Sequence, residues 1–549
     1  MSPLQDLGAT LAIVTFVLVL VAYIQHLARR GVYRLPPGPK GLPILGNIHQ
    51  LPAKYQHETF TKWAAEYGDV FYIQICHKPA IVVNTLQAAH DLMEKRSSLY
   101  SDRPKSVVMG FEFETSILPY GKQWRLHRKW FQTAFQTKTA QLRHRPLQLR
   151  AVRQLLSALL DSPADFRNNI QRFAGAMMLE IAYGHTATSA DDDFIGWVGD
   201  TIARVLESGG GGATVIDLFP ICERDYDLYT GGAPSKIVSF HEVKHVPDWM
   251  PGAGSKRRAA AMRPAVREFH DLPYNRVKAA LDAGCAKTSF LSSLIERASA
   301  NSALTEEDEF NLKGAAGMVY IGEHPTFTQQ ILQKVTNFTV TVLLTFIIAM
   351  VLHPEVYKKA QAEIDRVVGH SRLPNHEDLP STPYLSCVLK EVYRWRCPLP
   401  LAVPHQVIKD DEYLGYHIPA GSMIIPNVWA MTRNPDLYPD PDNFMPERFE
   451  NLDAETASRL DPTKLVFGFG RRICSGRSFA NSNMLLLIAN ILATMNIRKA
   501  RDEAGKEITP DSVFMDGGVC HPKPFKCDIQ PRSQRAVEMI ALANVESSY

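Results

Sequence analysis

The sequence predicts a mainly α chain with a small β-rich lobe and one apolar segment able to span a bilayer. Three observations point there. Phe479, Ala480, Met484, Leu487, Ile488, Ile491, Leu492 and Met495 recur at the spacing of one buried helix face. Residues 70–75 and 80–83 are short runs rich in β-branched and aromatic side chains, read as strands of a small sheet. Residues 7–24 carry no charge over eighteen positions, long enough to cross a bilayer as an amino-terminal transmembrane helix.

The chain has 549 residues, 45% of them hydrophobic, enough for one large domain behind an anchor. Lys+Arg number 60 against 57 Asp+Glu, so no global basic field exists and nucleic acid is excluded as a partner. Cysteines stand at 76, 222, 285, 387, 397, 474, 520 and 527 without paired spacing, as in a reducing compartment.

In order, residues 1–28 form the membrane anchor, 29–50 a basic and proline-rich linker, and 51–549 the globular body. A cleaved signal peptide is disfavoured, because Asp6 and no basic residue precede the apolar run. Arg29, Arg30, Arg34 and Lys40 follow it, which places the body in the cytosol. Pro36-Pro37-Gly38-Pro39 is a stiff exit from the membrane. From about 161 to 297 the chain reads as helical with interruptions, including a hinge at Gly209-Gly210-Gly211-Gly212. Thr382 is placed to cap a helix whose first residue is Pro383.

The chemistry centres on Phe467-Gly468-Phe469-Gly470-Arg471-Arg472-Ile473-Cys474-Ser475-Gly476. A glycine-loosened turn delivers Cys474 to the first turn of a helix, where N–H groups and the helix dipole favour a thiolate. With no second cysteine near it, this is a single axial ligand and not part of a zinc or iron–sulfur cage. Arg472 can reach a carboxylate on a bound cofactor, and Phe467 can cover the sulfur.

This run resembles the haem-binding signature of cytochrome P450, Phe-x-x-Gly-x-Arg-x-Cys-x-Gly, at Phe467, Gly470, Arg472, Cys474 and Gly476. The resemblance implies the cytochrome P450 fold, with haem b bound through iron to Cys474 and 51–549 as the haem-thiolate catalytic domain. It implies insertion of one oxygen atom from O2 into a lipophilic small molecule such as a terpenoid, polyketide, steroid or polycyclic aromatic. Electrons would come from NADPH through a cytochrome reductase docked on Lys122, Lys129, Arg471 and Arg477, with cytochrome b5 and membrane lipid as further partners. The anchor, the Pro-Pro-Gly-Pro linker and the closing His521-Pro522-Lys523-Pro524-Phe525 are similar to fungal, microsomal members. That implies a single-pass protein of the endoplasmic reticulum membrane.

Further site residues come with the resemblance. Trp124 and Arg128, one helical turn apart, correspond to propionate-binding groups. His405 is either a second propionate partner or a satisfied loop histidine. Glu391, Arg394 and Arg448 correspond to a structural carboxylate shared by two arginines. The segment opened by Tyr100-Ser101-Asp102-Arg103-Pro104 corresponds to the loop over the substrate pocket. In the same family Leu218-Phe219-Pro220-Ile221 and Val246-Pro247-Asp248-Trp249 flank the lid.

Two stretches break the pattern. Residues 222–242 interrupt the lid. Residues 322–338 interrupt the central helix, where the family carries an acid–alcohol pair that delivers protons. Asn337 and Phe338 stand in that register, and Pro325 removes a helical hydrogen bond. Glu323 and Thr326 are the displaced alternatives, so no catalytic residue is assigned. Gly322-Glu323 and Cys222-Glu223 can each be encoded with GTGAG, a splice donor, so both stretches are expected to be translated intervening sequence. The competing functions are a haem-thiolate isomerase or peroxygenase, which needs no such pair, and an inert haem binder.

Overall fold

Small elements come first in the chain. Helix α1 (Gln56–Tyr67) leads into β1 (Val70–Ile75) and β2 (Lys78–Val83), an antiparallel pair with Val70 opposite Val83. The computed structural model describes residues 34–104, 113–186, 254–321 and 338–547 apart from 44, 53, 77, 301, 517 and 518, and also 194, 197 and 201. The anchor (7–24), the tetraglycine hinge, both lid motifs, 222–242 and 322–337 lie outside these residues.

The helical body follows: α2 (Lys122–Phe131), α3 (Lys138–Asp161), α4 (Phe166–Tyr183), α5 (Gly254–Asp282), α6 (Phe290–Ser299), α7 (Glu306–Ile321), α8 (Phe338–Leu352), α9 (Pro354–Val368) and α10 (Pro383–Trp395). Strands β3 (His405–Gln406), β4 (Asp411–Tyr413), β5 (Tyr416–Ile418) and β6 (Met423–Pro426) come next, then α11 (Arg477–Thr494). Strands β7 (Met495–Arg501), β8 (Glu507–Ile508) and β9 (Cys527–Pro531) and helix α12 (Gln534–Ser547) close the chain.

The mainly helical expectation holds, and so does the small sheet near the amino end. That sheet is larger than its two amino-terminal strands: β6 lies parallel to β2, and β3 pairs antiparallel with β6, His405 opposite Ile424. The pairing carries His405 from a distant loop into the body. Helix α8 is apolar on every side, and each residue from Thr339 to Val351 is buried. A helix of that composition belongs at the centre of a core, and it packs against α4, α9, α10 and α11. Among the described residues no single helix is long and apolar enough to cross a membrane; α8 with α9 passes only as a pair bent by 109°.

Three local expectations need correction. Thr382 does sit at the cap position of α10, but its hydroxyl donates to the Leu379 carbonyl at 2.8 Å. The exposed amides are taken instead by the Glu363 carboxylate of α9, which accepts from Tyr384 N at 3.0 Å and Leu385 N at 2.8 Å. An anion does this better than a hydroxyl, because it also meets the positive end of the helix dipole. Met495 opens β7 and does not end α11. The third correction concerns Cys474: α11 starts at Arg477 with Gly476 at its cap, so the cysteine lies three residues ahead of the helix and not in its first turn.

Candidate active site

The cysteine turn is built by its main chain. Cys474 N–H donates to the Phe467 carbonyl at 2.8 Å, folding the ten-residue run back on itself. Gly470 has φ +53°, and a Cβ there would lie 1.9 Å from the Met93 carbonyl oxygen, so only glycine lets the turn seat on that backbone. At Gly476 the backbone is ordinary, and a Cβ would sit 3.9 Å from the Cys474 sulfur. The Phe467 ring meets Tyr393 edge-on, with centroids 5.6 Å apart.

Cys474 opens onto a cavity of about 300 Å³ that Trp124, Arg128, His405, Phe467, Arg472 and Gly476 also line. All the predicted cofactor residues therefore converge on one space. Arg128 donates to the Ile473 carbonyl at 2.6 Å and to the Ser475 hydroxyl, gripping both sides of the cysteine. Its guanidinium lies 5.7 Å from the Trp124 ring centroid, and that of Arg472 lies 4.7 Å from it. Arg472 donates to the carbonyls of Ser101 at 2.7 Å, Thr115 at 3.2 Å and Leu118 at 2.7 Å. His405 lines the wall, and its Nδ1 donates to the Tyr100 carbonyl at 2.7 Å. Burial, with Arg103 beside it, holds that imidazole well below its ordinary value, so it is neutral.

Sequence reasoning missed Arg103. It lines the same cavity and donates to the carbonyls of Ser116 at 3.0 Å, Val403 at 2.6 Å and Pro404 at 2.7 Å. The signal available was the single arginine at the opening of the loop over the pocket. Burial and the neighbouring Arg472 push Arg103 down to about 9, and burial pushes Arg472 down to about 10. Three guanidinium groups thus crowd one wall with carbonyls for partners. Among the described residues no Asp or Glu lines that wall, and a group bearing two carboxylates would meet its guanidinium groups.

Glu391, Arg394 and Arg448 meet as expected, away from the cavity. Glu391 accepts from Arg394 Nε and Nη2, both at 2.7 Å, from Met445 N at 2.8 Å and from Arg448 Nε at 3.2 Å. Glu391 and Arg394 are fully buried. Arg394 also donates to the carbonyls of Thr432, Pro441 and Asn443. Every charge in this network has partners, as a buried pair requires.

Helices α7 and α8 both bring described residues to the cavity. Met318 and Val319 from α7, and Phe338, Thr339 and Val342 from α8, line it. Asn337 is outside the described residues, so the acid position is not placed, whereas Phe338 does reach the wall.

A lone sulfur opposite an arginine-rich, aromatic-backed wall suits haem: iron for the cysteine, propionates for the guanidinium groups. The residues present fit that cofactor, and the class they define is the haem-thiolate proteins. The chain belongs to the cytochrome P450 family, whose profile, described as Cytochrome P450, matches residues 36–195 and 333–529. Cytochrome P450 monooxygenase 176 of Postia placenta is 44% identical over 92% of this chain and 92% of that protein. Cytochrome P450 monooxygenase 136 of the same fungus is 42% identical over 97% and 95%. Tryptamine 4-monooxygenase of Psilocybe cyanescens is 33% identical over 96% and 99%. The chain is a haem-thiolate monooxygenase acting on small molecules. Proteins of this family generally use redox-partner reductases and lipophilic substrates.

Proposed function

We propose that the chain inserts one oxygen atom from O2 into a lipophilic small molecule of the terpenoid, polyketide, steroid or polycyclic aromatic kind. The observation that carries this is the position of Cys474, open to a cavity whose remaining wall is largely apolar. Haem, when bound, supplies the oxygen-activating redox chemistry, and a thiolate donor favours O–O cleavage. Cys474 would hold the iron; Trp124, Arg128, Arg472, Arg103 and His405 would hold the propionates. Met318, Val319, Val342, Leu399 and Val403 give the substrate an apolar, water-poor surface.

Electrons would come from NADPH through a cytochrome reductase. Lys122, Lys129, Arg471 and Arg477 are all exposed on the cysteine side, and Arg125 adds to them. A surface of one sign steers an acidic partner, which suits a reductase and cytochrome b5 alike. The apolar run 7–24 supports a single-pass anchor in the endoplasmic reticulum membrane, with the catalytic domain in the cytosol and in contact with lipid. Cys474→Ala tests the core of the proposal. The red-shifted absorbance of the CO-bound ferrous protein should vanish, and a variant that keeps it would remove Cys474 as the ligand.

Phe338 in the cavity wall favours a second reading, a peroxide-driven or isomerising haem-thiolate enzyme. Substrate turnover with peroxide but not with NADPH and reductase would select it.

A further inference from the structure

We propose that Thr115 sets substrate orientation by acting only as a hydrogen-bond acceptor, so that the cavity selects lipophilic molecules carrying an O–H or N–H donor. The inference rests on the monooxygenase reading of the same cavity and goes on to name what the substrate must present.

The argument runs along a chain of buried hydrogen bonds whose direction is fixed at its far end. Asn311 on α7 donates through Nδ2 to the Glu307 carbonyl at 2.7 Å. A carbonyl cannot donate, so this bond fixes which way the amide faces and turns Oδ1 toward His127. His127 Nε2 lies 3.1 Å from that oxygen and must carry the hydrogen. His127 is fully buried, and burial pushes it down to about 4, so its ring is neutral and bears one proton. Nδ1 is then a bare lone pair. It lies 2.8 Å from Thr115 Oγ1, and the Thr115 hydroxyl must donate to it. A hydroxyl has one proton, and here the protein itself takes it.

Thr115 lines the cavity, on the stretch that follows the pocket loop. It is held at both ends, because its carbonyl accepts from Arg472 while its hydroxyl is committed to His127. Toward a ligand it can offer lone pairs alone. A donor placed there is satisfied, whereas an ether or carbonyl oxygen would meet a second acceptor. His127 and Asn311 are positioning residues: they touch no substrate and set what Thr115 presents.

The test uses full-length, haem-loaded protein and two matched probes, 2-naphthol and 2-methoxynaphthalene, titrated by calorimetry. Naphthol should bind about tenfold more tightly. Thr115→Val keeps the shape and should erase that ratio; Thr115→Ser should keep it. His127→Phe frees the Thr115 hydroxyl to donate, so the ratio should collapse through tighter binding of the methyl ether. Equal affinities in the parent, binding of neither probe, or a ratio untouched by Thr115→Val would each overturn the proposal. Failure of the monooxygenase reading is separate, since it shows in the CO-bound spectrum and not in the ratio.

Discussion

Replacing Glu391 with glutamine should destabilise the protein by about 3–5 kcal/mol, the usual penalty for breaking a buried ion pair. The contacts point in the same direction. Two carboxylate oxygens accept four donors within 3.2 Å, three of them from guanidinium groups. Glutamine can keep the oxygen that serves Arg394 Nη2, Met445 N and Arg448 Nε, but then turns an NH2 toward Arg394 Nε. One charge-assisted bond, at about 1.5–3 kcal/mol, is then lost, and the remaining guanidinium bonds lose their anionic acceptor. Arg394 has no route to water, being fully buried. Domains of ordinary stability hold about 5–15 kcal/mol in total, so about a fifth or more is at stake. Urea unfolding followed by circular dichroism, with the CO-bound band as a second probe, measures the loss. Arg394→Met in the same chain should recover part of it, because the orphaned cation is removed. A glutamine variant within about 1 kcal/mol of the parent would show that Glu391 is not the hub described.

Arg103→Gln, alone and with Trp124→Ala, should lower haem retention on gel filtration while leaving the thiolate spectrum of any bound haem intact; unchanged retention would remove Arg103 from the propionate wall. Acid should destabilise the fold between pH 6.5 and 4. Burial holds His57 and His127 at about 4, so in that window the unfolded state binds more protons and stability falls as pH falls. Each residue contributes up to about 1.4 kcal/mol per pH unit, and His127→Gln should flatten the slope; an unchanged slope refutes the assignment. Replacing 322–338 with Ala-Gly-Ala-Asp-Thr should raise product formed per NADPH, with removal of 222–242 aiding folding. Equal coupling in the two proteins would mean that both stretches are tolerated native sequence.

Much of the site was legible because its chemistry is concentrated. The turn from Phe467 to Gly476 holds the proposed ligand, its backbone clamp and an arginine within ten residues. Trp124 and Arg128 were legible as an i,i+4 pair. His405 was ambiguous because its place depends on β3 pairing with β6, a contact that no local pattern announces. Arg103 was hidden because its partners are backbone carbonyls at 116, 403 and 404, and a carbonyl leaves no mark in a sequence. Thr382 misled because a better acceptor arrived from another helix. The direction of the Asn311–His127–Thr115 chain depends on an amide orientation that only packing sets.

Glu363 has a consequence for how this part of the molecule opens. The carboxylate that closes the start of α10 belongs to α9, while the other end of α10 is bound through Glu391 and Arg394 to the segment ahead of the cysteine turn. Neither end of the helix can fray by itself. Exchange of the Tyr384 and Leu385 amides with deuterated solvent therefore waits for α9 to undock, so their protection reports on the two helices as one cooperative unit.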